Sequence, residues 1–169
     1  LLVVAVFAFR LFVKTADGRL AWDRFKLRIP IAGKIIRKAT LARFARSFAM
    51  AARSGVPIVQ GLSLTGQVVE NAWIEKKLED MRMGVERGES VLRTAVASGV
   101  FTPVVLQMVM VGEESGSLDD MMLEIADMYQ REVEYELKTL SAQIEPILIV
   151  ALGVMVLITV LSVMNGFDN

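Results

Sequence analysis

Apolar residues recur at helical spacing along nearly the whole chain. Leu41, Phe44, Ala45, Phe48 and Ala52 fall three and four apart, which predicts a helix. It should stop at Gly55 and Pro57, since glycine suits the left-handed residue past a helix end and proline forbids continuation. A further helix is expected from about Ile58 to Glu70. Another follows Asn71 as N-cap, with Ile74, Leu78, Met81 and Val85 on one stripe, and ends at Gly88. Ser90 opens a short helix that Gly99 closes. Thr102-Pro103 sets an N-cap before proline at the first helical position, and that helix runs to Gly116. Ser117, with Asp120 as a capping-box acid, opens the last helix. Its apolar stripe is Leu118, Met121, Met122, Ile125, Met128 and Tyr129, continuing through Val133, Leu137, Leu140 and Ile144. No period-two run bounded by hairpin turns occurs, so strands are not expected. The fold class is all-α: an antiparallel bundle of about six helices over residues 35–143.

Beyond that stripe the polarity changes. Pro146–Phe167 is 22 residues without a charge, and as a helix it covers roughly 33 Å, the thickness of a bilayer core. Residues 144–167 are therefore expected to be a transmembrane helix, with 168–169 as an extracytoplasmic tail. The N-terminal apolar run, Leu1–Phe9 before Arg10, is too short to span and lacks the charge order of a signal peptide. Residues 1–13 read as the end of a membrane helix that begins upstream. Residues 14–34 read as a basic interfacial linker, in which Leu20–Ile29, including Trp22 and Phe25, suits an interfacial helix with Trp at headgroup level that Pro30 and Gly33 break.

Charge sharpens this picture. The chain holds 19 Lys+Arg and 19 Asp+Glu, but residues 1–53 carry 12 basic and two acidic side chains, and residues 54–169 carry seven and 17. A basic block following an apolar run places its side of the membrane in the cytoplasm, so residues of about 10–145 are expected there. The block lacks the interleaved aromatics of a strand-binding groove, and no nucleic acid is expected.

Candidate chemistry is sparse. With no Cys and no His, thiol nucleophiles, zinc fingers and Ser-His-Asp triads are excluded. No phosphate loop of Walker type and no Ser-x-x-Lys pair occurs, so no enzyme, cofactor or metal is expected. Asp120, Glu124 and Asp127 share one helix face, where a solvated acidic surface is the simpler account than a cation site. Asp127–Arg131 and Glu134–Lys138 are spaced as i,i+4 pairs. Gly112–Gly116 (GEESG) sets two carboxylates in the last turn of a helix, against the macrodipole. Glu113 or Glu114 should then have a specific partner, such as an Arg of the basic helix 41–53, whose Arg43, Arg46 and Arg53 are expected to share a face. Glu145–Pro146 puts a charge where the chain enters lipid, either paired or in headgroup water.

Leu41–Leu62 (LARFARSFAMAARSGVPIVQGL), Val85–Val96 (VERGESVLRTAV), Val100–Leu123 (VFTPVVLQMVMVGEESGSLDDMML) and Ile144–Val156 (IEPILIVALGVMV) occur in that order. As a set they resemble the PilC/GspF inner-membrane platform family of type IV pilus and type II secretion machines. The chain departs from the family's common Leu-Pro-x-aromatic ending with VMNGFDN. The resemblance implies the second of two cytoplasmic helical domains in a multi-pass protein of the bacterial inner membrane. It also implies partners: a hexameric assembly ATPase, a pilin or pseudopilin, inner-membrane alignment proteins, the lipid bilayer and further copies of the chain. Arg43, Gly55, Pro57, Gly88, Gly112, Glu113, Gly116, Glu145 and Pro146 are the motif residues to follow. A membrane-tethered scaffold or sensor for another soluble partner is the alternative; a transporter would need more polar side chains within its spans.

Overall fold

The computed structural model describes residues 1–167, with Ile31 by its backbone alone; the tail expected at 168–169 lies outside the described residues. Those residues form eight helices and no strand: α1 (Leu2–Lys14), α2 (Ala16–Lys26), α3 (Pro30–Arg53), α4 (Ile58–Gly66), α5 (Ala72–Glu86), α6 (Val91–Ser98), α7 (Pro103–Ser115) and α8 (Leu118–Phe167). They divide into two compact units, Leu1–Val133 and the residues from Glu134 onward.

The first unit holds the core. Leu41, Phe44 and Phe48 of α3 meet Leu62 of α4, Ile74 and Leu78 of α5, Val105 of α7 and Ile125 of α8, each at most 2% exposed. Burying one such side chain contributes about 1.5–3 kcal/mol. The predicted stripes of α3 and α5 are thus the faces that pack. The hydroxyl of Tyr129 is the buried side-chain polar atom among the described residues that lacks a hydrogen bond. Burial pushes its phenol up, so it stays neutral.

Local punctuation sets most boundaries. The Asn71 carboxamide oxygen accepts from the Trp73 and Ile74 amides at 3.1 and 3.2 Å, and Ser90 Oγ accepts from Arg93 at 3.1 Å. Pro103 stands in the first turn of α7, and Gly116 closes that helix at φ +71°. Gly112 serves a second purpose: a Cβ there would stand 3.0 Å from Leu118 Cα and Met121 Cβ, so its lack of a side chain lets α8 start close against α7.

Four expectations are corrected. The interfacial helix ends at Lys26 rather than Ile29, and the residues that mark the break belong to the next helix: Pro30 opens α3, and a Cβ on Gly33 would collide with the Leu27 carbonyl, so Gly33 admits the tight turn from α2. The helix from Ile58 ends at Gly66, well before Glu70, because the chain turns there to deliver Asn71 to its capping position. The capping box at Ser117 does not form: its amide donates to the Gly112 carbonyl at 2.9 Å, its hydroxyl pairs with Ser115, and Asp120 turns to Arg53. Finally, the buried stripe of α8 stops at Val133; Leu137 and Ile144 are 46% and 43% exposed.

The second unit is the remainder of α8. From Ile147 to Phe167 its large apolar side chains are all exposed, and α8 is the one described helix long and apolar enough to cross a membrane. Pro146 lies inside it. At 13 residues, α1 covers roughly 20 Å and is too short to span by itself.

Candidate functional site

Glu113 is the first motif residue whose oddity is resolved. Its carboxylate leaves the C-terminal turn of α7 and accepts the Val91 amide at 2.6 Å. Val91 is the first residue of α6, so its N–H has no partner within the helix and the local dipole favours an anion. The unfavourable position on α7 is therefore the favourable one for α6. The expected Arg partner is not used; a backbone donor takes its place. Gly88, at φ +97°, sits in the turn that delivers Val91 to this carboxylate. Glu113→Ala should lower the stability of the detergent-solubilised chain by about 1–3 kcal/mol, as a charge-assisted hydrogen bond is lost. Glu113→Gln keeps an acceptor and should lose only about 0.3–1 kcal/mol. Equal losses in thermal unfolding would show that a charged partner holds this residue instead.

The basic residues of α3 meet α8 along one line. Lys38 pairs with Glu132 at 3.2 Å, Arg46 with Asp127 at 3.0 Å, and Arg53 with Asp120 at 2.8 Å and Asp119 at 3.8 Å. Rising numbers on α3 face falling numbers on α8, so the two helices run antiparallel. Asp127 is accordingly paired across helices rather than with Arg131. The acidic face is solvent-exposed, as expected, and within it Asp120 and Asp127 also turn to arginines of α3. Arg43 leaves this line: it pairs with exposed Glu70 at 3.5 Å, about 60° around α3 from Arg46 and about 80° from Arg53. Each exposed pair contributes at most about 1 kcal/mol, so the ladder sets register more than stability.

One charged residue escaped the sequence reading. Asp23 of α2 is 3% exposed. Its carboxylate accepts the Ala72 amide, the first of α5, at 2.7 Å and pairs with Lys26 at 3.0 Å. The Asn71 side chain donates to the Asp23 carbonyl at 3.4 Å. Asp23 and Asn71 thus cap α5 together, and α2 is held to the bundle by a carboxylate.

The remaining motif residues do not converge. Gly55, at φ +81°, and Pro57 form the turn between α3 and α4. Glu145 and Pro146 lie in the second unit, where Glu145 is exposed. Glu113, Gly112, Gly88 and Gly116 serve the junctions of α5, α6, α7 and α8. What fold and contacts define is a helical bundle in which Asp23, Glu113 and the α3–α8 charge pairs serve caps and interhelical register, continued by an apolar helix of membrane length.

The comparisons agree with that class. The profile of the family described as type II secretion system (T2SS), protein F, matches residues 44–166, and the chain belongs to this family. A type IV pilus assembly protein PilC of Thermus thermophilus is 42% identical over 158 residues, 92% of this chain and 39% of that protein. PilC of Myxococcus xanthus is 35% identical over 152 residues, 90% of this chain and 36% of the relative. A type II secretion system protein F of Pseudomonas aeruginosa is 32% identical over 159 residues, covering 94% and 39%. The chain therefore spans less than two fifths of the length of these relatives.

Proposed function

We propose that this chain is the second cytoplasmic domain and following membrane helix of an inner-membrane platform. In this reading it passes work from a hexameric ATPase to the assembly of a pilin or pseudopilin. Residues 35–143 form the bundle, 144–167 cross the bilayer, and residues of about 10–145 lie in the cytoplasm. Alignment proteins of the inner membrane and further copies of the chain complete the assembly. ATP hydrolysis belongs to the partner.

The observation that carries this reading is the continuity of α8 in a member of this family. One helix begins at Leu118 among buried core residues and continues through Pro146 into an uncharged stretch. A membrane-tethered scaffold for another partner could be held by a flexible tether and would not need its bundle helix to run unbroken into the apolar stretch.

Two arms test the proposal in the full-length protein. Alkaline phosphatase fused after residue 80 should be silent and after residue 169 active; the reverse pattern overturns the orientation. The assembly ATPase should co-purify with the wild-type protein from detergent-solubilised membranes. Its absence from the eluate, with membrane insertion normal, would favour a scaffold for another partner.

A further inference from the structure

A groove of about 540 Å³ lies between α2 and α5. Four cations line it: Arg24 from α2, Arg28 from the turn after it, and Lys76 and Lys77 from α5, with Asp17 as the single acid. None of the four is engaged in an ion pair among the described residues, unlike Arg46, Arg53 and Arg82, which all are. Lys77 instead stands over the Trp73 ring at 5.7 Å, and Phe25, 56% exposed, closes the other wall. The docking of α2 explains the arrangement. Asp23 faces α5 and is buried, so the next position, Arg24, is turned into the groove, and Arg28 reaches it from the turn that follows α2.

We infer that this groove binds the phosphate headgroup of an anionic phospholipid. The case rests on charge and on what adjoins the groove. Guanidinium groups match phosphate oxygens in a two-pronged geometry, and ammonium groups add point charge. An aromatic chain leads from the groove to the apolar helix before it: Phe25 stacks on Trp22 at 5.8 Å, and Trp22 meets the edge of Phe9 in α1 at 5.0 Å. Every residue of α1 is unburied, and its large side chains Leu2, Val3, Val4 and Phe7 are all more than half exposed. An apolar helix one residue before the helix that lines a basic, aromatic-walled groove suits a ligand with a charged head and apolar tails. An acidic peptide would satisfy the cations but leave α1 unexplained.

The test places the full chain in nanodiscs of phosphatidylglycerol and phosphatidylcholine in about equal parts, and native mass spectrometry then counts the lipids retained on gentle release. Losing two basic residues at a membrane surface should lower lipid preference by about 30-fold. The wild type should retain phosphatidylglycerol well above its share. Arg24→Gln with Arg28→Gln, or Lys76→Gln with Lys77→Gln, should bring retention near the bulk ratio. Arg24→Lys with Arg28→Lys should keep most of it, which separates lost charge from lost folding. Arg87→Gln with Arg93→Gln, away from the groove, should change nothing. Equal retention by wild type and both groove variants overturns the inference, as does an equal fall in the distant pair. Displacement by millimolar inorganic phosphate would identify a site for free anions. Retention of an acidic peptide in preference to lipid would assign the groove to a protein.

Discussion

Inserting five Gly/Ser residues between Ser141 and Pro146 of the full-length protein is expected to abolish pilus or pseudopilus assembly, with membrane insertion and ATPase co-purification retained. The helix entering the apolar stretch is continuous over this segment. Five helical residues advance about 7.5 Å in a fixed direction. Five Gly/Ser residues form a random coil with a mean reach of roughly 12 Å and no preferred orientation. Torque and tilt are therefore lost across the insertion while the attachment survives. Assembly at the normal rate, scored by sheared pili or secreted pseudopilus, would reduce the platform to a passive tether.

Asp23→Ala is expected to detach α2 from the bundle. The substitution leaves the Ala72 amide without its acceptor and deprives Lys26 of its pair. A buried hydrogen bond to a charged group is worth about 1.5–3 kcal/mol, a factor of about 10 to 150 in the docking equilibrium. Asn71 still caps α5 through Trp73 and Ile74, so α5 itself should persist. Hydrogen exchange should report faster exchange in residues 16–26 and unchanged protection in residues 74–86. Loss of protection throughout both helices would mean that Asp23 holds the fold and not merely the docking.

These two residues mark where sequence reading succeeds and where it stops. Asn71, Ser90, Gly99, Thr102-Pro103 and Gly116 are local signals, each acting within four residues, and the boundaries of α5, α6 and α7 follow from them. Periodicity gave the core for the same reason, since Phe44, Phe48, Ile74 and Leu78 need only spacing to declare a face. Partners are another matter. Glu113 could be recognised as misplaced on its own helix, but its donor lies 22 residues away in α6. Asp23 gave no signal, because its acceptor role depends on a contact 49 residues along the chain. Pro30 and Gly33 were ambiguous in kind: a residue that stops one helix equally starts the next. Arg43, Arg46 and Arg53 looked alike as a basic face, yet 60° of helix rotation is enough to send Arg43 elsewhere.

Pro146 has a further consequence for how α8 can move. A proline supplies no N–H, so the Ala142 carbonyl, four residues earlier, loses its helical donor. That carbonyl and the Glu145 carboxylate both need water, and both stand immediately before 22 uncharged residues. If residues 144–167 cross the bilayer as proposed, driving the helix deeper by one turn would carry them into hydrocarbon at several kcal/mol each. Withdrawing it by a turn would set Ile147–Val150 in water instead. Neither penalty arises when the helix spins in place or leans. The platform would therefore work as a shaft with a collar, free to turn and barred from the stroke of a piston.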